Sequence, residues 1–199
     1  MTIVLGIDPG AQRAGWAFTQ EVDGERRYLG SGVCSLPRKQ NEPYQQYRSR
    51  LVTFWASNFA DIADHLDDLH VEHGDPDVRI VFEIVPAIGF QSGGAVQSQL
   101  AQVVVTVCQA LCEEWEWPYE QLSATTVKQR ATGYGDATKV QVRNAVLSVF
   151  PELEPRKKEL TSTADEADAI AISLVGGGYR VPKAKGNPRR KKSKGAARG

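Results

Sequence analysis

A chain of 199 residues can build one domain with a sizeable core but not the two nucleotide-binding lobes of a motor ATPase. Its formal charge is zero, yet all 24 acids lie at or before Asp168, while nine bases crowd residues 180–199. The body from 1 to 179 therefore sets 24 acids against 15 bases, a net of −9, and the tail carries +9.

The opening "TIVLGIDPG" predicts a buried strand closing in a Pro-Gly turn. No basic stretch precedes it and Asp8 interrupts its apolar run, so no secretory leader is expected. "GWAFTQEV" and "RRYLGSGVCSL" follow as strands, and the short turns between them imply an antiparallel meander. From Pro43 to about Leu69 a helix is expected, with Tyr47, Leu51, Phe54, Trp55, Phe59, Ile62 and Leu66 at helical spacing. His65, His70 and His73 sit in an acidic, polar stretch and read as solvated surface. "GDPD" breaks the helix, and "VRIVFEIV" is a fourth strand. The loop "PAIGFQSGG" leads into a helix over 94–116, lined by Val96, Leu100, Val103, Val104, Val107 and Leu111. Val105 and Ala110 widen that stripe beyond what one sheet face requires, so a contact between two copies of the chain is expected there. "PYEQLS" makes a fifth strand, followed by helices near 124–130, 137–149 and 164–175. Three hairpin-linked strands followed by alternating helices and strands predict a mixed sheet flanked by helices.

Cys34, Cys108 and Cys112 form no disulfide framework and suit a reducing cytoplasm. Cys108 and Cys112, one helical turn apart, read as core packing, because no third sulfur or nearby histidine accompanies them. No segment approaches the roughly 18 apolar residues of a membrane span. The tail "VPKAKGNPRRKKSKGAARG" has no apolar periodicity and is expected to be disordered, leaving residues 1–179 as the folded domain and 180–199 as a basic arm.

The chemistry lies in the acids. Asp8 before Pro-Gly is also ordinary turn chemistry. Glu83 interrupts "RIVFEIV", where an unpaired buried carboxylate is costly, although a solvated sheet edge would accommodate it. In "TADEADAIAISL", Asp165 and Asp168 share one side of a helix, and Glu166 turns about 100° away from Asp165. Thr163 and Glu166 have capping-box spacing, so Glu166 is expected to reach back to the Thr163 amide. Capping explains Asp168 poorly, since it lies deeper in the helix. Asp8, Glu83, Asp165 and Asp168 together make an oxygen-rich set suited to Mg²⁺ or Mn²⁺. Two such ions about 3.5–4 Å apart support phosphodiester hydrolysis, and they reverse the local sign that would repel DNA phosphate. The letters of Asp165 to Asp168 suggest a helicase box, but the required phosphate loop is missing. "GYGDATKV" has Thr138 before its lysine and Val140 after it, so no nucleotide cofactor is expected.

"VLGIDPGAQRAGWAF", "IVFEIV", "VKQRATGYGDATKVQV" and "TADEADAIAISL" resemble, in order and spacing, the RuvC Holliday junction resolvases over roughly residues 1–178. The resemblance implies an α/β, RNase H-like fold with a five-stranded mixed sheet flanked by helices, acting as a homodimer. It implies Mg²⁺-dependent symmetric nicking of four-way DNA junctions, with 5′-phosphate and 3′-hydroxyl ends. It also implies Asp8, Glu83, Asp165 and Asp168 as the metal-binding acids, with basic residues at Lys128 and Lys139. A lysine beside such a site can hold the scissile phosphate, and Gly133 and Gly135 permit the bend that brings the two lysine segments together. Family members often carry an aromatic wedge just past the glutamate strand; here Pro86 follows Val85. The nearest aromatic, Phe90, either takes that role or packs its loop down. The tail, with Arg189, Arg190, Lys191 and Lys192 at its centre, would bind phosphates with a steep salt dependence. Two other readings stand beside this one. A nuclease of the same fold acting on branched DNA generally or on RNA–DNA hybrids shares the metal chemistry. A junction-binding protein without catalysis would have no use for four gathered acids.

Overall fold

The computed structural model describes residues 2–73, 77–85 and 95–182, and its centre is a five-stranded mixed sheet. Strands β1 (Thr2–Asp8), β2 (Arg13–Val22) and β3 (Glu25–Ser35) form the antiparallel meander. Strands β4 (Asp77–Glu83) and β5 (Tyr119–Leu122) extend the other edge of β1 in parallel, giving the spatial order β3-β2-β1-β4-β5. Parallel neighbours need crossovers. Helix α1 (Tyr44–His73) carries the chain from β3 to β4, and α2 (Ala95–Glu114) carries it from β4 to β5.

Strand alternation then assigns the two faces. Ile3, Leu5, Ile7, Phe18, Ile80 and Phe82 pack under α1 and α2. Val4, Ala17 and Val81 pack under α3 (Ala124–Thr132), α4 (Lys139–Val149) and α6 (Ala164–Gly176). By the same parity Asp8 and Glu83 belong to the α6 face. That helix lies directly on the sheet because glycines receive it. A Cβ at Gly6 would strike the backbone of Ala169 and Ser173, and one at Gly15 the backbone of Asp165. Ser173 fixes the register by donating to the Val4 carbonyl at 2.6 Å and pairing with the Thr19 hydroxyl at 2.7 Å.

The expected elements are present, with instructive differences at their edges. Helix α1 continues past Leu69 to His73. The helix expected over 94–116 stops at Glu114: Glu116 adopts a left-handed φ of 58°, and the Trp117 amide returns to the Cys112 carbonyl. Trp115 and Trp117 thereby pack edge to face, with Trp115 stacked on Phe59. The stretch between α4 and α6, which shows no periodicity, holds a 3₁₀ turn (Pro151–Arg156) and the short α5 (Glu159–Ser162). His65 is not solvated surface; it is half-buried against the rings of Trp16 and Phe18. The side chains of His70 and His73, together with Phe90 and residues 183–199, lie outside the described residues. All three cysteines are free and buried, and burial pushes the Cys34 thiol up to about 11 and that of Cys112 up to about 12. Such thiols are packing groups. Val105 is already buried within the single chain, whereas Val96 is 43% exposed, so the surplus apolar surface on α2 is smaller than its sequence implies. Among the described residues no helix is long and apolar enough to cross a membrane.

Candidate active site

β1 and β4 run parallel with Ile7 opposite Phe82, so the next residue on each strand, Asp8 and Glu83, ends its strand at the same level and on the same face. α6 crosses that face, and its first two turns present Asp165 and Asp168. Asp8 is pushed well above the ordinary carboxylate range, first by burial and then by repulsion from Glu83, Asp168 and Asp165. Glu83 is raised by burial and by Asp168, against the pull of Lys128 and Lys139. Asp168 is raised by burial, against the pull of Lys139. The four acids feel one another; the structure gathers them.

Among the described residues, three cations act on them, two of them by direct contact. The Lys139 ammonium lies 3.0 Å from Asp168 Oδ2 and 3.5 Å from Asp165 Oδ1. Burial works against its charge, but Asp168, Asp165 and Asp8 together raise its pKa above the usual lysine value. Its position is informative, because Lys139 is the first residue of α4, where the helix dipole disfavours a cation. The helix start is secured without it, by a capping box between Thr138 and Gln141. Lys139 is therefore paired with the acids at a position that the helix itself does not favour. Lys128 stands on α3, which ends at Gly133 in the left-handed conformation (φ 86°); the chain turns back there towards α4. Its charge reaches Glu83 and Asp168 and opposes the larger effect of burial that raises both. The second cation in direct contact is Arg13, whose Nε is 3.4 Å from Asp165 Oδ2.

Does this arrangement suit a metal ion? Among the described residues no three His, Cys, Asp or Glu side chains are drawn into a closed metal-binding group. Lys139 and Arg13 hold the carboxylates instead. The donor set is nevertheless all oxygen, and its members are partly accessible, with Asp165 and Asp168 side chains 28% and 18% exposed. Mutually repelling carboxylates at a solvent-facing strand end fit a hard divalent cation, not the nitrogen and sulfur chemistry of zinc.

Glu166 departs from its expected role. The Thr163 amide is taken by the Glu159 carbonyl at 2.8 Å, because α5 precedes α6 directly, so no capping box forms. Glu166 is instead buried, accepting hydrogen bonds from Arg156 at 2.7 Å, Ser31 at 2.6 Å and the Thr163 hydroxyl at 3.0 Å. Arg156 also donates to the Tyr28 hydroxyl, which pairs with Ser31. This network joins the start of α6 to β3 and to the 3₁₀ turn. Arg13 and the Arg156 network escaped the sequence reading. The parity of "RAGWAF" does place Arg13 on the Gly15 face, whereas nothing local links residues 31, 156 and 166.

The sequence model of the family described as crossover junction endodeoxyribonuclease RuvC matches residues 4–176. A crossover junction endodeoxyribonuclease RuvC from Colwellia psychrerythraea is 31% identical over 180 residues, covering 89% of this chain and 87% of the relative. The structure of Thermus thermophilus RuvC aligns with a TM-score of 0.56 at 20% identity, over 86% of this chain and 90% of that one. The yeast mitochondrial Holliday junction resolvase Ydc2 aligns with a TM-score of 0.51 at 19% identity, over 85% and 75% of the two chains.

Proposed function

This chain belongs to the RuvC family of crossover junction endodeoxyribonucleases, and from that premise we propose that it resolves four-way DNA junctions by paired, symmetric, metal-dependent nicks. The observation that carries the reading is the meeting of Asp8, Glu83, Asp165 and Asp168 at one strand end, with Lys139 among them. Members of the family are metal-dependent. In our reading these four acids hold two Mg²⁺ ions, with Mn²⁺ as a substitute. When bound, the metal supplies Lewis-acid activation of water and stabilises the leaving oxygen, as two-metal sites do.

The chain's own residues do the rest. A bound cation would offset the burial and mutual repulsion that raise Asp8, Glu83 and Asp168 and so favour their ionised forms. Lys139, released from Asp165 and Asp168, donates hydrogen bonds to the non-bridging oxygens of the scissile phosphate as negative charge gathers there. Lys128, whose charge acts on Glu83 and Asp168, helps hold the same phosphate. The products carry 5′-phosphate and 3′-hydroxyl ends. A homodimer presents two such sites to one junction, which is what symmetric nicks require. The basic tail, with Arg189, Arg190, Lys191 and Lys192, adds contacts to the DNA backbone, and Phe90 is the candidate aromatic for contacting bases at the crossover.

The test is a Mg²⁺-dependent assay on matched substrates: four-way junction, flap, duplex, single strand and RNA–DNA hybrid. Paired nicks confined to the junction are expected. Equal cutting of flaps or hybrids would replace this reading with the broader nuclease. Lys139→Met should slow single-turnover cleavage by about 10²–10³-fold, the scale on which one lost electrostatic contact to a developing anion is felt. Junction affinity, measured separately by anisotropy, should fall by a much smaller factor.

A further inference from the structure

We propose that Arg13 is a second phosphate-binding cation of this site, receiving a DNA backbone phosphate on its β2 side; the inference rests on the nuclease reading above. Arg13 opens β2 with the parity of Gly15 and Ala17, so it shares the face of Asp8 and α6. Its Nε lies 3.4 Å from Asp165 Oδ2, while Lys139 holds Asp165 Oδ1 at 3.5 Å. One carboxylate is thus divided between cations from two different elements. The Arg13 side chain is also 42% exposed, so it is open to a ligand arriving from solvent.

The segment delivering Arg13 is tied to its neighbours by hydrogen bonds. The buried Tyr47 hydroxyl donates between the carbonyls of Ala11 at 2.7 Å and Leu36 at 2.9 Å. The Leu36 amide bonds to the Gln12 carbonyl at 2.8 Å. Gly10 is required by close approach, since a Cβ there would collide with the Arg13 carbonyl. A side chain needed only to neutralise Asp165 calls for none of this, because Lys139 already supplies that charge and an exposed ion pair adds little stability. A cation held by the acids would compete with Arg13 for Asp165. A phosphodiester then becomes its natural complement. The planar guanidinium can take it with two parallel hydrogen bonds, a geometry that lysine lacks.

The experiment uses the full chain as wild type, Arg13→Gln and Arg13→Lys. Binding to a labelled four-way junction is read by rapid-mixing anisotropy in Mg²⁺, ahead of cleavage, across a salt series. Arg13→Gln should weaken affinity about 3–10-fold at moderate salt and reduce the log–log salt slope by about 1, the value for one lost phosphate contact. Arg13→Lys should restore the slope. The loss should fall mainly on affinity, with the maximal single-turnover rate reduced by a smaller factor. An unchanged slope in Arg13→Gln overturns the proposal, as does a loss confined to the rate, which would mean that Arg13 only shapes Asp165. Wild type binding duplex as tightly as junction would instead sink the resolvase reading. The slope comparison on duplex would still decide the role of Arg13.

Discussion

Asp8→Asn is expected to lower cleavage by at least about 10²-fold while leaving junction binding intact, and to stabilise the metal-free protein. The first effect follows from removing a carboxylate at the centre of the four acids. The second follows from the same crowding. Burial and the neighbouring acids raise the Asp8 pKa well above its ordinary value of 3.8. A group raised in the folded state contributes stability below its unfolded pKa, and that contribution is lost as pH rises through the folded value. Glu83 and Asp168 are raised as well, so all three work against the metal-free fold at neutral pH. In a chelator, the melting temperature of wild type should therefore fall as pH rises from about 4 towards neutrality, by more than that of Asp8→Asn. Mg²⁺ should reverse the fall in wild type and have a smaller effect on the variant. Melting curves that coincide at every pH, with and without Mg²⁺, would sink the account of a cation-seeking acid cluster. Wild-type cleavage by Asp8→Asn would sink the site assignment itself.

The largest effect on stability is expected at Glu166, outside the catalytic set. Its carboxylate is buried and accepts hydrogen bonds from Arg156, Ser31 and Thr163. Glu166→Ala removes those bonds and leaves Arg156 facing a cavity with only the exposed Glu159, 3.1 Å from its Nε, as counter-charge. Full burial of both partners would cost more, but the Arg156 side chain is 35% exposed and recovers some hydration. A loss of roughly 2–4 kcal/mol is expected, seen as a melting temperature lower by about 5–15 °C. The double variant Arg156→Met with Glu166→Met should recover part of it, because neither charge is then stranded. Turnover should fall more than DNA affinity in Glu166→Ala, since the network seats the turn of α6 that carries Asp165. A melting temperature within about 1 °C of wild type would show that α6 is held by its apolar contacts alone.

Much of the architecture was legible because strand and helix periodicities are local properties. "TIVLGID" had to be buried, and α1 could be read from the recurrence of Leu51, Trp55, Phe59, Ile62 and Leu66, all of which are buried. The helix spacing of Asp165 and Asp168 could likewise be read, as could the oddity of Glu83 within an apolar strand. The 3₁₀ turn and α5 could not, since a few residues carry no period. The Glu166 misassignment has the same origin. Thr163 and Glu166 have the right spacing for a capping box, but the Thr163 amide had already been claimed by Glu159 from the preceding helix. His65 looked solvated by its polar neighbours, and only the fold puts Trp16 and Phe18 against it.

The two lysines came from the family resemblance; by itself, the sequence determined the order and type of the main elements and offered four acids of the kind that hold a divalent cation. Those follow from residue chemistry and spacing within a few helical turns or one strand. What only the tertiary structure decided is which charges meet. Asp8 and Glu83 come level because β1 and β4 pair in parallel, and α6 reaches them because Gly6 and Gly15 leave its backbone room. Arg13 joins Asp165, and Arg156 joins Glu166, across contacts set by packing. Coulomb interactions depend on distance through space, and distance through space is not written in distance along the chain.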